Sequence, residues 1–125
     1  MIPIFAPRLI TGQPIEIFGD GEQTRHFVNV NDVVRANYRA GLAKGVTGAF
    51  NIASGTRITI NELTRLIGEA SGLLPDVEHK DPRPGDVRHS LADISAARNA
   101  PGYHPSVELD SGLKEYMAWA KIHLW

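Results

Sequence analysis

Two glycine-bearing turns hold the residues of this sequence that are best suited to chemistry. Residues 18–25 read FGDGEQTR and residues 82–88 read PRPGDVR, so each turn carries an acid and ends on an arginine. A hairpin turn uses the Asp-Gly pair but has no need of an arginine. Because a guanidinium group offers a planar fork of donors that suits phosphate, Arg25 and Arg83 are candidates for one anion-binding site.

Each turn taken alone also fits a purely structural role. The first is typical of a β-hairpin that happens to carry a surface arginine. In the second, flanking prolines stiffen the loop and direct Arg83, which lowers the entropy cost of holding a ligand. Asp86 is expected to accept a hydrogen bond from Arg83, from Arg88 or from a ligand hydroxyl. The alternative is a solvated loop with an Asp–Arg pair that contributes little.

Other kinds of site find little support in the sequence. The histidines show no metal-ligand spacing; His79, Asp81 and His89 could meet, but we expect no metal. The sequence contains no G-x-G-x-x-G loop after a strand, no P-loop and no G-x-S-x-G motif. None of its tyrosines is followed four residues later by a lysine. We therefore assign no catalytic residue.

Composition limits the class of protein further. With 125 residues, the chain is expected to form a single domain over 1–125. The absence of cysteine excludes disulfides and thiolate chemistry. A net charge of −1 argues against a nucleic-acid binder, although TINELTRLIGEASG resembles part of a helix-turn-helix. The sequence shows no membrane-spanning run and no signal peptide, so we expect a cytoplasmic protein that does not bind membranes.

The elements that position these turns follow from periodicity, caps and breakers. Apolar spacing predicts helices and alternation predicts strands, with Asp20-Gly21 turning the first two strands into a hairpin. Helices are predicted at 2–11, from Asn31 or Asp32 to Lys44, at 59–71, 93–98 and 109–124, and strands at 15–18, 25–30, 48–53 and 76–80. Thr59 and Glu62 resemble a capping box, and Gly72 ends that helix. The predicted class is α/β (α+β-like), with a small mixed sheet.

Taken together and in order, four blocks resemble the C-terminal, substrate-binding part of the NAD-dependent epimerase/dehydratase family, the extended short-chain dehydrogenases that act on nucleotide sugars. The blocks are QPIEIFGDGEQTRHFVNVNDVVRA, GAFNIASGTRITINEL, RPGDVRHSLADISAAR and SVELDSGLKEYMAWAK. Their order and spacing cover almost the whole chain, from residue 13 to residue 124.

This resemblance implies a role for six residues. In such enzymes, arginines at the positions of Arg25 and Arg83 close on the diphosphate of a nucleoside-diphosphate sugar. The backbone at two strand positions contacts the base, an acid reaches a ribose hydroxyl, and an apolar residue packs near the nucleotide. In this sequence those further positions are Glu16, Phe18, Asp86 and Ile60, respectively. The expected ligand is thus a UDP- or dTDP-linked sugar.

The resemblance also implies what the chain lacks. The family's glycine-rich NAD loop and its Tyr-x-x-x-Lys pair have no counterpart in this sequence, so we expect it to bind no NAD by itself and to be catalytically inactive alone. A cofactor-binding portion would have to be supplied elsewhere. Where many relatives read R-D-F-x-Y-V-D-D, this chain has His26, Asn29 and Asn31 in place of an acid, an aromatic and an acid.

Two hypotheses remain open at this point. The chain is either the substrate-binding part of a nucleotide-sugar epimerase or dehydratase, or a free-standing binder or interaction module without catalysis. In the family, the segments matching 32–44 and 48–53 pack on the cofactor-binding sheet. Since that sheet is missing from this sequence, we expect a homo-oligomer, in particular a dimer, that uses part of residues 32–53.

Overall fold

The computed structural model describes residues 1–124, and these fold into five helices and four short strands. The helices are α1 (Ile2–Ile10), α2 (Val30–Leu42), α3 (Ile60–Ser71), α4 (Ser95–Asn99) and α5 (Leu109–His123); the strands are β1 (Ile15–Phe18), β2 (Thr24–Arg25), β3 (Ile58–Thr59) and β4 (Val77–Lys80). The predicted α/β class with short strands is confirmed. None of the helices described is both long and apolar enough to cross a membrane.

Local signals account for the ends of α3 and α2. The Thr59 side chain accepts a hydrogen bond from the Glu62 N–H at 3.1 Å, and Gly72 ends α3 in the left-handed conformation at φ 71°. The N-cap of α2 is Asn29, whose Oδ1 accepts from the Asn31 N–H at 2.9 Å. The prediction that Asn31 or Asp32 caps this helix was wrong, because the Asp32 carboxylate is buried against another segment.

The strands form two separate pairs. β1 pairs in parallel with β4, from Ile15 opposite Val77 to Phe18 opposite Lys80. β2 pairs antiparallel with β3, with Arg25 opposite Ile58. The predicted hairpin between 15–18 and 25–30 is therefore wrong, as is the predicted extent of its second strand, because α2 already begins at Val30.

The start of α3 explains why the hairpin does not form. The first backbone N–H groups of a helix lack partners within the helix. Here the N–H groups of Ile60 and Asn61 donate to the carbonyls of Gln23 and Gly21, both at 3.1 Å. Gly21 has φ 78°, and a side chain there would collide with the side chain of Asn61. The turn is thus attached to α3 rather than to a returning strand.

Helices α1, α3 and α5 enclose β1 in the larger of two hydrophobic clusters. Its fully buried members come from all four elements: Ala6, Ile15, Leu63, Ile67 and Met117. The smaller cluster joins α2 and α4 through Ala36, Ala53, Ile94, Ala97 and Tyr103. Because α3 and α4 belong to different clusters, they do not form a helix-turn-helix.

The predicted strand at 48–53 is also not formed. Within residues 1–124 no strand lies beside this segment, so its backbone has no ladder to join. It is held instead by Tyr103, whose buried hydroxyl donates to the Ala53 carbonyl at 2.8 Å. Burial raises the pKa of Tyr103, so the hydroxyl keeps the proton that makes this bond.

Candidate functional site

One cavity of about 490 Å³ opens between β1, the start of α3 and the loop that follows β4. Its wall includes every residue for which the sequence predicted a binding role: Glu16, Phe18, Arg25, Ile60, Arg83 and Asp86. Arg83 and Asp86 lie more than fifty residues after Arg25 in sequence, and tertiary folding brings them together with it. Ile60, the first residue of α3, is 1% exposed and forms part of the apolar lining.

β1 presents one free backbone edge. The N–H groups of Ile15 and Gly19 donate to the backbone carbonyls of Asp76 and Lys80 on the β4 side, at 2.7 and 2.9 Å. Since a strand bonds one neighbour through every second residue, Glu16 and Phe18 turn their backbone groups to the opposite edge. The Phe18 carbonyl is already occupied there by Gln23 Nε2 at 2.8 Å. The pairing with β4 does not use the N–H or the carbonyl of Glu16, nor the N–H of Phe18.

Arg25 is held firmly at the cavity wall. Its Nη1 donates to the carbonyls of Thr24 and Val87 at 2.7 and 2.6 Å, and its Nη2 donates to Asp86 Oδ1 at 2.5 Å. The prediction that Asp86 accepts from Arg83 or from Arg88 was therefore wrong about the partner. Arg25 is the partner of Asp86 because β2 places it directly beside the loop residues 86 and 87.

Arg83 lies on the other side of the cavity. Its guanidinium carbon is 3.8 Å from the centre of the Phe18 ring, which is a cation–π contact. The Asp86 N–H donates to the Arg83 carbonyl at 3.2 Å and closes a tight turn that holds the loop in shape. Both arginines thus face one cavity while only Arg25 has a carboxylate partner among the residues described.

Arg88, the arginine that ends the second turn, connects the two turns. Its Nη1 and Nη2 donate to the two carboxylate oxygens of Asp20 at 2.7 and 2.9 Å. Arg88, helped by the Glu22 N–H, lowers the pKa of Asp20 from 3.8 to about 2. The acid of the first turn and the last arginine of the second therefore form one clamp beside the cavity.

Among the wall residues that sequence reasoning missed, two have polar side chains. Arg8 lines the cavity from α1, and its guanidinium lies 3.2 Å from the Glu16 carboxylate. Gln23 lines it from the turn before β2 and is 7% exposed. No spacing or motif marks Arg8. Gln23 lies within the quoted turn, but its burial depends on α3, which comes more than thirty residues later.

The residues that depart from the family pattern have local partners. Asn29 serves as the N-cap of α2, and His26 Nδ1 lies 3.5 Å from Ser90 Oγ. The histidines considered for a metal are separate: His79 contacts the Gly19 carbonyl and His89 contacts Thr24 Oγ1. Within residues 1–124, no group of three His, Asp or Glu side chains could hold a metal ion.

Comparison with known proteins shows what this geometry resembles. The family model described as the NAD dependent epimerase/dehydratase family matches residues 1–53. A UDP-glucose 4-epimerase of Mycolicibacterium smegmatis is 39% identical over 113 residues, covering 90% of this chain and 36% of that protein. A dTDP-glucose 4,6-dehydratase of Streptomyces niveus is 33% identical over 121 residues, covering 95% of this chain and 36% of that protein.

The fold is similar to solved structures as well. The UDP-glucose 4-epimerase of Thermotoga maritima, solved with UDP-glucose, superposes with a TM-score of 0.90 at 40% identity. The match covers 99% of this chain and 40% of that one. The chain therefore spans roughly two fifths of the length of these relatives, in their C-terminal part.

Proposed function

We propose that this chain, which corresponds to the C-terminal part of the NAD-dependent epimerase/dehydratase family, binds the nucleoside diphosphate of a nucleotide sugar. One observation carries the proposal: Arg25 and Arg83 share a cavity with the free edge of β1. Cations for phosphate and backbone groups for a base are thus available within one volume. The relatives named above include enzymes acting on UDP- and dTDP-linked sugars, which is consistent with this chemistry.

The two arginines suit the diphosphate. Each guanidinium group can direct two parallel N–H donors at one phosphate, and two such groups match two phosphates. The guanidinium carbon of Arg83 lies 3.8 Å from the centre of the Phe18 ring, a contact that uses none of the N–H donors, so these donors are available to a ligand. Asp86, which lies beside Arg25, is the carboxylate available to a ribose hydroxyl.

The edge of β1 indicates which base would fit. The Glu16 N–H, the Glu16 carbonyl and the Phe18 N–H form a sequence of donor, acceptor and donor. Uracil and thymine present the complementary acceptor, donor and acceptor through two ring carbonyls and the N–H between them. Cytosine offers an acceptor in place of that N–H and a donor in place of one carbonyl. It would therefore place an acceptor against the Glu16 carbonyl and a donor against one of the backbone N–H groups. UDP and dTDP are therefore the proposed nucleotides.

The residues present do not fit NAD. In cofactor-binding sheets a strand runs through a glycine-rich turn into the N-terminus of a helix. Here β1 leads through its turn into β2, β4 leads into the loop of residues 81–94, and β3 runs directly into α3 with no glycine-rich turn between them. The proposal is therefore a substrate-binding role without hydride transfer by this chain alone, with NAD held by a portion supplied elsewhere. A free-standing nucleotide-sugar binder or interaction module is the alternative that uses the same residues.

Titration of the chain with UDP, dTDP and CDP, followed by calorimetry or NMR, tests this function. We expect weak binding of UDP and dTDP, weaker binding of CDP, and loss of binding in Arg25→Ala and Arg83→Ala. Arg57→Ala, which removes an exposed arginine outside the cavity wall, is the matched control and should bind as the unmodified chain does. Equal UDP affinity in all four proteins would contradict the proposal.

A further inference from the structure

The loop of residues 81–94 carries Arg83 and Asp86 but has little structure of its own. It contains none of the helices and strands given above, and its first nine residues are all exposed. It starts at the end of β4, and the first of its residues that is buried is Ile94, at 4% exposed. The positions of Arg83 and Asp86 therefore depend on contacts that the loop makes between these two points.

Two arginine side chains attach this loop to the rest of the molecule. Arg25 donates to the Val87 carbonyl and to Asp86 Oδ1, at 2.6 and 2.5 Å. Arg88 donates through Nη1 and Nη2 to the two carboxylate oxygens of Asp20, at 2.7 and 2.9 Å. The first attachment lies in the cavity wall, whereas neither Asp20 nor Arg88 lines the cavity. A ligand in the cavity therefore meets one attachment and leaves the other untouched.

Asp20 is a firm point of attachment because its turn is fixed to α3. Its Oδ1 also accepts from the Glu22 N–H at 2.9 Å, which sets the direction of the carboxylate. The Asp20 carbonyl accepts from Asn61 Nδ2 at 3.0 Å, and the Gly21 carbonyl accepts from the Asn61 N–H at 3.1 Å. An isolated exposed ion pair contributes little, but an arginine that binds both oxygens of a fixed carboxylate holds a defined geometry.

The neighbouring contacts of the loop all go to one residue of β2. The Arg88 carbonyl accepts from the Thr24 N–H at 2.9 Å, and His89 Nδ1 lies 3.1 Å from Thr24 Oγ1. Contacts with a single residue leave the loop able to rotate about that point. The clamp joins Arg88 to a second element, the turn after β1, and thereby fixes the direction in which the loop leaves β2.

We infer that Asp20 and Arg88 are positioning residues of the proposed site, because they hold the loop at the cavity when a phosphate displaces it from Arg25. This inference rests on the proposed function. Phosphate competes for the same guanidinium donors that attach Arg25 to the loop. The clamp is then the side-chain attachment that remains, so Arg83 and Asp86 stay at the cavity while the ligand is bound.

Titration with UDP of the unmodified chain, of Arg88→Ala, of Asp20→Asn and of the double variant tests the inference. We expect each single variant to bind UDP about fivefold more weakly. The double variant should bind no more weakly than the single ones, because both changes remove the same clamp. Arg65→Ala removes another exposed arginine that pairs with carboxylates, on α3 and outside the cavity wall, and is the matched control that should bind as the unmodified chain does.

The mobility of the loop separates positioning from a general effect on folding. In Arg88→Ala without ligand, the Val87 amide should stay ordered because Arg25 still holds the loop, with a ¹⁵N order parameter of about 0.85. With UDP bound, the order parameter of this amide should fall below about 0.6. In the unmodified chain it should stay at about 0.85 in both states, since the clamp remains in place.

An Arg88→Ala variant that binds UDP as tightly as the unmodified chain, or whose loop is as ordered with UDP as without it, would overturn the inference while leaving the proposed function standing. Absence of UDP binding to the unmodified chain would instead remove the proposed function and the inference with it. If Arg88→Ala does not fold, Asp20→Asn decides, because it removes one charge from an exposed side chain and carries the same expectations.

Discussion

Arg25 already has a carboxylate partner at the cavity wall. Its ion pair with Asp86 at 2.5 Å holds one of the two cations that the proposed diphosphate needs. A phosphate that binds Arg25 must therefore compete with Asp86, whereas a ribose hydroxyl gains from the same carboxylate. Asp86 thus weakens the binding of bare phosphates and favours complete nucleotides.

Asp86→Asn should accordingly bind pyrophosphate more tightly. The pair is partly exposed, and such pairs contribute about 0–1 kcal/mol, so we expect an increase of up to about fivefold in the affinity for pyrophosphate. Calorimetric titration with pyrophosphate measures it, with Asp110→Asn as a control outside the cavity. Weaker pyrophosphate binding in Asp86→Asn would show that the carboxylate does not compete.

The clamp between Asp20 and Arg88 predicts that Asp20 titrates at a lower pH than an ordinary aspartate. Because the pKa of Asp20 is lowered to about 2 in the folded chain, its interaction with Arg88 is complete above the unfolded value of 3.8. It is lost as the pH falls from there towards about 2. In Arg88→Ala we expect the pKa of Asp20 to return towards 3.8, as measured by the ¹³Cγ shift of Asp20 during an NMR titration. A midpoint near 3.8 in the unmodified chain would contradict the clamp. Arg98→Ala is the control and should leave the pKa of Asp20 as low as in the unmodified chain.

Between elements, Asp32 connects the start of α2 to the segment before α5. Its carboxylate is 1% exposed and accepts from the Ser106 and Val107 N–H groups at 3.0 and 3.2 Å. Arg35 supplies the counter-charge one turn along α2. This carboxylate satisfies backbone donors that would otherwise be buried without partners, so it contributes to stability rather than to ligand binding.

Asp32→Asn should lower the free energy of unfolding by about 2–3 kcal/mol, because the new amide group directs donors at a backbone N–H. Asp110→Asn, which alters an exposed ion pair with Lys114, should cost less than about 1 kcal/mol. Urea unfolding followed by circular dichroism compares the two. Equal effects would mean that the buried carboxylate does not hold the segment.

On the scale of the whole molecule, α2 leaves an apolar stripe uncovered. Val30, Val34, Tyr38 and Leu42 recur every fourth residue and are 58–69% exposed. The segment 48–53, close to α2 through Ala53, joins no sheet within residues 1–124. Stripes of this kind in soluble proteins mark contact surfaces. We keep the expectations that residues 1–125 form one domain and that a second copy covers part of residues 32–53.

Light scattering across a dilution series should therefore give the mass of a dimer at high concentration. Val34→Lys combined with Tyr38→Lys should shift the mass towards that of the monomer, because charges on the stripe cannot be buried against a second copy. Ile122→Lys, at a position 71% exposed on α5, should leave the dimer intact. A folded, soluble monomer at every concentration would contradict the expectation.

How much the sequence could predict depended on the distance between interacting residues. α3 and α5 were predicted almost to the residue, because caps and i, i+4 spacing act within one or two turns. The prediction that Arg25 and Arg83 belong to one binding site came from the resemblance over four blocks. Neither turn alone distinguishes a ligand site from a surface loop.

The sequence by itself determined the helices, the two turns and the residue types available to a ligand. Only the tertiary structure decided which strands pair, which carboxylate Arg25 binds and that Gln23 is buried beside the cavity. β1 joins β4 across about sixty residues, and β2 and β3 pair through two residues each. Alternation located β1 and β4 but says nothing of which strands pair, and the energy that selects their partners comes from packing on α3 and from satisfying its first N–H groups.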